Sequence, residues 1–240
     1  MERIDEIGFG GLKLIQEPEE FCYGIDAILL SDFAKIKRGS IVADLGTGNG
    51  IIPLVLSHKT EATKIVGVEL QPRVADLASR NIALNGQGGL ITILCADVKD
   101  LAGHLSPNSY DAVVSNPPYV EKSAGVKNRQ QAKMIARHET SAGLAEFFSA
   151  ASSLLKDKGD FFLVHRPSRL ADSLTLGRQY QLEPKRIRLV HPNSAALPNI
   201  VLLHFVKNGR PELKFEKPLF VYKKDGCYTA EILKIYEKEK

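Results

Sequence analysis

Short apolar runs alternate with longer amphipathic segments along most of this chain. Seven runs have the length and composition of buried strands: Ile41–Leu45, Lys64–Glu69, Leu90–Asp97, Tyr110–Ser115, Gly159–His165, and residues 185–191 and 199–207. Helical spacing separates several of them, over residues 51–56, 71–85, Ala142–Leu155 and Ser168–Tyr180. The alternation predicts an α/β fold, a seven-stranded and mostly parallel sheet with helices on both faces.

The length of 240 residues suits one domain with a single hydrophobic core, and 44% of the residues are hydrophobic. We predict one domain over 1–240, with residues 1–40 as a segment before the first motif and 208–240 as a small carboxyl-terminal appendage. Within that appendage, residues 214–222 with Pro218 predict a small hairpin, and Thr229–Lys238 predicts a terminal helix.

A glycine-rich turn follows the first predicted strand. Gly46, Gly48 and Gly50 stand between a strand and a helix, a context in which glycines let a ligand approach the backbone. Asp44 lies at the end of that strand, where a carboxylate repels a pyrophosphate and attracts a cation. Because S-adenosylmethionine carries a sulfonium and an ammonium group, the turn favours that cofactor over a dinucleotide.

Two further predicted strands also end in an acidic residue. Glu69 closes the second strand, where a carboxylate suits hydrogen bonding to ribose hydroxyls. Asp97 closes the third strand and is placed to accept a hydrogen bond from an adenine amino group. The three acids, in this order, predict one cofactor site.

The sequence Asn116-Pro117-Pro118-Tyr119 follows the fourth predicted strand. Proline restricts its own φ and the residue before it, so the Asn116 amide oxygen and the Pro117 carbonyl are held in fixed directions. Two fixed acceptors suit a planar NH2 group with its two donors. Tyr119 adds a flat ring on which a base or an amide can stack.

With these motifs the chain resembles the class I S-adenosylmethionine-dependent methyltransferases that carry an Asn-Pro-Pro-Tyr signature. Phe21–Phe33 is similar to the segment before the glycine motif in the bacterial valine-tRNA adenine-N6 methyltransferase family, and residues 188–193 and 198–203 are similar to its last strands. The resemblance implies a Rossmann-like fold whose last strand is antiparallel. It also implies S-adenosylmethionine as cofactor and tRNA as partner, with the N6 of an anticodon-loop adenine as acceptor.

The same resemblance assigns roles to individual residues. It implies that Asn116, Pro117 and Tyr119 are catalytic and that Asn116 also contacts the cofactor. Asp26 is expected on the cofactor side, with a helix cap as its alternative role, and Pro118 is expected to contact the substrate.

Basic residues are concentrated in two places. Residues 181–240 carry twelve Lys and Arg against seven Asp and Glu, which leaves a net charge of −1 for the first 180 residues. Five cations and no acid occur between residues 122 and 137. Contacts to RNA phosphates are predicted there, at Lys122, Lys127, Arg129, Arg137 and His138, although a solvated loop and helix would also explain the stretch. His138 and Glu139 could form a proton relay, and a structural or RNA-contacting role is the alternative.

Apolar runs and cysteines bear on membrane association, metal binding and disulfides. No apolar run approaches membrane-spanning length and the amino terminus has no signal peptide, so a cytoplasmic protein without a membrane partner is expected. Three widely spaced cysteines predict neither a metal site nor a disulfide framework. The sequence carries no signal of oligomeric state.

Three alternatives stay open at this point. A protein glutamine also presents a planar NH2, although release-factor glutamine methyltransferases place a helical domain before the glycine turn and only 43 residues precede Asp44. Guanine-N2 methyltransferases of ribosomal RNA commonly have Phe where this chain has Tyr119. A binding protein that lost its chemistry is the third alternative, against which the retention of all the acids and Asn116 counts.

Overall fold

The computed structural model describes residues 2–16, 24–119 and 143–237. The strands are β1 (Arg3–Gly8), β2 (Leu12–Gln16), β3 (Ile41–Leu45), β4 (Lys64–Glu69), β5 (Ile91–Cys95), β6 (Tyr110–Ser115), β7 (Leu155–His165), β8 (Leu182–His191), β9 (Ile200–Lys207), β10 (Lys214–Phe215) and β11 (Leu219–Phe220). The helices are α1 (Ile25–Phe33), α2 (Ile51–Lys59), α3 (Pro72–Leu84), α4 (Leu144–Leu154), α5 (Leu170–Gln179) and α6 (Ala230–Ile235), and a 3₁₀ turn covers Pro167–Arg169. None of the helices in the described ranges has the length and apolar character needed to cross a bilayer.

The large sheet has seven main strands in the order β5-β4-β3-β6-β7-β9-β8. Strands β3 to β7 are all parallel, whereas β9 lies between β7 and β8 and is antiparallel to both. The predicted seven-stranded, mostly parallel sheet with an antiparallel last strand is therefore confirmed.

The carboxyl-terminal segment differs from the predicted hairpin, which was wrong. Strands β10 and β11 each pair in parallel with β8, so both run in the same direction along one edge. Polar contacts fix this path: Arg186 Nη1 donates to Glu216 at 2.6 Å, and Arg188 Nε donates to the Lys217 carbonyl at 3.0 Å. The segment thus extends the sheet. The terminal helix occupies Ala230–Ile235, within the predicted range.

Alternating side chains fill the two faces of the sheet. Val114 packs with α1 and α2 in one hydrophobic cluster, while its neighbour Val113 belongs to the cluster on the opposite face. In the second cluster, the Phe148 ring of α4 meets the rings of Phe161 and Phe205 edge-on, with centroids 5.2 and 5.3 Å away. Both faces are therefore covered, as a parallel sheet requires.

The sequence does not predict the antiparallel hairpin that β1 and β2 form within residues 1–40. Its Leu14 is fully buried in the first cluster. The buried Asn81 of α3 accepts from the Ile15 N–H at 2.6 Å and donates to the carbonyls of Ile15 at 3.2 Å and Asn49 at 2.9 Å. One side chain thus joins the hairpin, α3 and the glycine-rich turn.

Replacing Asn81 with alanine is expected to lower the free energy of unfolding by about 2–3 kcal/mol, because one buried and two partly buried backbone groups lose their partner. Asn85→Ala is the matched control. The Asn85 amide makes the same pair of bonds to the Lys13 backbone, at 2.8 and 2.7 Å, in a more exposed place. Its loss should cost about 1 kcal/mol or less. Urea unfolding of both variants tests this, and equal losses would contradict it.

Candidate active site

The candidate site lies at the carboxyl edge of the parallel strands. From β3 the chain passes through β4 to β5, and it then returns to β6 on the other side of β3. This reversal leaves a crevice at which ligands bind in open α/β sheets. Leu45 pairs with Ser115, whose hydroxyl donates to the Leu45 carbonyl at 2.7 Å. The glycine-rich turn and the Asn-Pro-Pro-Tyr turn therefore leave the sheet side by side.

Glu69 holds the glycine-rich turn in place. Gly46, Gly48 and Gly50 have φ angles of 75°, 57° and 83°. A Cβ at Gly48 would meet no atom within 4 Å, so the backbone there faces open space. The Gly48 N–H donates to Glu69 Oε2 at 3.0 Å, and the Gln71 N–H donates to Oε1 at 2.9 Å. Glu69 thus shapes the turn, and the ribose contact predicted for it stays a prediction.

Asp44 is fully buried, and neither of its carboxylate oxygens has a hydrogen-bond partner among the described residues. Burial raises the pKa of Asp44 to about 7; the neighbouring Thr47 side chain acts against this shift, and repulsion from Glu69 adds to it. A buried carboxylate without a partner is costly. Its presence in a crevice therefore indicates a place for a ligand that carries positive charge or N–H donors.

The predicted cofactor fits these residues. S-adenosylmethionine carries two positive groups, and the unpartnered Asp44 carboxylate is the kind of group that such a ligand satisfies. The open face of Gly48 leaves room for a ligand to approach the backbone closely.

Asp97 lies at the same edge of the sheet. Glu69 pairs in register with Cys95, two residues before Asp97. Asp97 Oδ1 accepts from the Lys99 N–H at 2.9 Å, and Oδ2 lies 3.3 Å from Lys99 Nζ. The structure therefore brings Asp44, Glu69 and Asp97 to one edge, and the contact of Asp97 with a cofactor stays a prediction.

The Asn-Pro-Pro-Tyr turn folds back on itself. Pro117 is buried, Pro118 is exposed, and the residues on either side of them are half-buried. The Tyr119 hydroxyl oxygen lies 3.0 Å from Asn116 Oδ1 and 2.9 Å from Asp26 Oδ2. Asp26 belongs to the first turn of α1, whose N-cap is Gly24, so the start of this helix lies beside the Asn-Pro-Pro-Tyr turn.

Two residues at the end of β7 complete the site. The His165 ring centroid lies 5.0 Å from that of Tyr119, and the Arg166 guanidinium carbon lies 4.8 Å from the Tyr119 centroid, over the ring. Burial first, and then Arg169 and Arg166, lower the pKa of His165 to about 4, so the ring is neutral near pH 7. Arg166 thus covers one face of the Tyr119 ring.

Neither Arg166 nor Asn81 was singled out from the sequence. The available signal for Arg166 was its position. It directly follows β7, the strand after β6, and β7 ends at the same edge of the sheet as β6. Asn81 had no such signal, since one polar residue within an amphipathic helix is ordinary.

The residues predicted to contact RNA phosphates lie outside the described residues. These are Lys122, Lys127, Arg129, Arg137 and His138, and Glu139 lies there as well. In the part of the chain that is described, no group of three His, Cys, Asp or Glu side chains is arranged to hold a metal ion.

Comparison with known sequences shows relatives over most of the chain. The profile of a family described as "Methyltransferase small domain" matches residues 13–181. The tRNA1(Val) (adenine(37)-N6)-methyltransferase of Actinobacillus succinogenes is 30% identical over 213 residues, which covers 88% of this chain and 87% of that protein. The protein of the same name from Porphyromonas gingivalis is 29% identical over 226 residues, with coverages of 89% and 86%.

Solved structures support the fold. A structure from Agrobacterium tumefaciens, described as a predicted O-methyltransferase, superposes with a TM-score of 0.73 at 22% identity and covers 89% of this chain and 96% of that one. Pyrococcus horikoshii TYW2 in complex with MeSAdo gives a TM-score of 0.58 at 16% identity, with coverages of 83% and 70%. At these identities the likeness concerns the fold alone.

Asp44→Asn is expected to stabilise the cofactor-free protein above pH 7 and to weaken cofactor binding. The folded state keeps the Asp44 proton up to about pH 7, whereas the ordinary pKa of an aspartate side chain is 3.8. Between these two pKa values the folded state binds more protons than the unfolded state, so the free energy of unfolding falls as pH rises. The total loss is of the order of 4 kcal/mol. Asparagine has no proton to lose and escapes this penalty.

Urea unfolding of the wild type and Asp44→Asn at pH 4 and pH 8, without cofactor, checks the prediction. The two proteins should be nearly equal at pH 4, where Asp44 is protonated, and should diverge at pH 8. Calorimetry should show weaker binding of S-adenosylmethionine to the variant. A wild type that is as stable as the variant at pH 8 would contradict the cost assigned to the buried carboxylate.

Proposed function

The chain belongs to the methyltransferase small domain family, together with tRNA1(Val) (adenine(37)-N6)-methyltransferases that match it over most of its length, and from this premise we propose that it methylates the exocyclic N6 of an adenine in a tRNA anticodon loop. It is an S-adenosylmethionine-dependent enzyme. The cofactor supplies a methyl group on a sulfonium leaving group, so the protein itself needs no covalent chemistry.

The position of Asn116 carries the proposal. It follows β6 directly, across the crevice from the turn that follows β3, and the two strands are joined by the pairing of Leu45 with Ser115. The cofactor is bound on the β3–β5 side by three acids, Asp44, Glu69 and Asp97. The glycine-rich turn, with Gly46, Gly48 and Gly50, lies alongside the cofactor. The acceptor is held from the β6 side.

The reaction depends on how the acceptor nitrogen is held. The amino nitrogen of adenine is a weak nucleophile because its lone pair is delocalised into the ring. Asn116 Oδ1 and the Pro117 carbonyl accept its two N–H bonds, which favours a more tetrahedral nitrogen with a directed lone pair. After transfer the nitrogen is cationic, so its proton is acidic enough to leave to water without a relay through His138 and Glu139.

The acceptor base reaches the crevice from a single-stranded loop, where unstacking costs little. Tyr119 provides the ring on which it stacks. Phosphates are bound by Lys122, Lys127, Arg129 and Arg137, and by the basic carboxyl-terminal third. This binding weakens with salt because it releases counterions.

The acceptor is tested by transfer from labelled S-adenosylmethionine to unmodified tRNA, ribosomal RNA and release factor in parallel. Nucleoside analysis of the product should give N6-methyladenosine in tRNA. Label in release factor alone would identify a glutamine methyltransferase, and N2-methylguanosine in ribosomal RNA would identify the guanine enzyme. Either result would overturn the proposed acceptor while leaving the crevice as the site.

Asn116→Ala is expected to lower kcat by about 100-fold or more, because it removes an acceptor aimed at the reacting nitrogen. The Kd for the cofactor should change by about threefold at most, because the three acids that bind the cofactor are intact. Single-turnover transfer and calorimetry measure the two quantities. Asn85→Ala, at the far end of α3, is the control and should keep kcat. Equal turnover in Asn116→Ala would remove Asn116 from the mechanism.

A further inference from the structure

The Tyr119 hydroxyl lies between two hydrogen-bond acceptors. Its oxygen is 2.9 Å from Asp26 Oδ2 and 3.0 Å from Asn116 Oδ1. A phenol has one proton, and a carboxylate and an amide oxygen have none to offer. The hydroxyl can therefore satisfy only one of these two neighbours at a time.

The two choices leave Asn116 in different states. If Tyr119 donates to Asn116 Oδ1, the proton lies against the oxygen that must accept from the substrate. If Tyr119 donates to Asp26, its own oxygen becomes an acceptor toward Asn116. A half-turn of the amide then directs Nδ2 to the phenol and Oδ1 into the crevice, since the two ends of the amide have nearly the same shape.

We propose that Asp26 is a positioning residue that accepts the hydrogen bond of the Tyr119 hydroxyl and so frees Asn116 Oδ1 for the target amino group. This rests on the proposed function, in which Asn116 holds a planar NH2. It gives Asp26 a role through Tyr119 in place of the cofactor contact predicted from the sequence.

The chemistry of the two acceptors favours Asp26. A hydrogen bond to a carboxylate is roughly twice as strong as one between neutral groups. The phenol keeps its proton, because burial first and then the Asp26 charge raise the pKa of Tyr119. Arg166 lies over the ring and contacts the Asn199 carbonyl at 3.2 Å, so the ring is held where its hydroxyl meets Asp26.

The test is a rescue between two variants. In Asp26→Ala the Tyr119 hydroxyl donates its hydrogen bond to Asn116 Oδ1, which should lower kcat by about tenfold or more, with a smaller change in the KM of the RNA. Tyr119→Phe keeps the ring and removes the proton, so the double variant Asp26→Ala/Tyr119→Phe should recover to within about threefold of Tyr119→Phe alone. Asp26→Asn, which keeps a neutral acceptor, should fall between the wild type and Asp26→Ala.

Asp32→Ala is the matched control, because Asp32 is an acid of the same helix that pairs with Lys59 at 2.7 Å. Asp32→Ala should leave kcat within about twofold of the wild type. Adding Tyr119→Phe to Asp32→Ala should change kcat by the same factor as in the wild type, as expected for independent sites. If Asp26 only stabilises α1, or if it binds the cofactor, Tyr119→Phe will not rescue Asp26→Ala. Failure of rescue, or a large loss of cofactor affinity in Asp26→Ala, would overturn the proposal.

The rescue can be separated from the identity of the acceptor. If the wild type labels a protein glutamine instead of adenine, the proposed function fails, and the same rescue is then measured on glutamine, which also presents a planar NH2. NMR gives a readout without any acceptor. Asp26→Ala should shift the side-chain amide signal of Asn116 and Asp32→Ala should not, whereas an unmoved signal in Asp26→Ala would contradict the proposal.

Discussion

The parallel pairing of β3 with β4 on one side and β6 on the other is the constraint on which the site depends. Side chains alternate along a strand, so a shift of one residue in either pairing would turn a buried row toward the wrong face. Apolar residues on both faces therefore fix the register. The same register sets where each strand ends, and so it places the glycine-rich turn beside Asn116 without any direct contact between them being required.

The buried Asp44 carboxylate lowers the stability of the fold at a place where the proposed function needs a negative charge. Its position within β3 is otherwise suited to an apolar residue, and the register with Gly67 and Val114 is satisfied by the backbone alone. The carboxylate has no partner among the described residues, and the proposed cofactor would supply the positive charge that it lacks. Local conflicts of this kind are expected at functional sites, where one rule of stability is broken and the rest of the core compensates.

Much of the fold could be predicted because it follows from local patterns. Strand runs, the glycine turn and the strand-end acids are each visible within a few residues. The antiparallel β9 came from the resemblance, since periodicity does not encode direction. The prediction of a carboxyl-terminal hairpin was wrong because two short strands around a proline have the same pattern whether they pair with each other or with β8.

Contacts between residues far apart in the sequence could not be predicted for a different reason. Asp26 and Tyr119 are 93 residues apart, and only the folded sheet brings them together.

The proposed mechanism separates the recognition of an amino group from the recognition of a particular molecule. In it, Asn116 and Pro117 accept the two N–H bonds of a planar NH2, which a base and an amide both present. For an RNA acceptor, selection would then come from charge and shape around the crevice. In the carboxyl-terminal third, Arg186, Arg188 and Lys214 are paired with glutamates, so they add less to direct phosphate contact than their number suggests. Their third of the chain still carries a net positive charge, which acts at a distance and raises the rate of encounter with a polyanion. Direct selection would then depend on residues beside the Asn-Pro-Pro-Tyr turn, where Arg166 lies over one face of the Tyr119 ring.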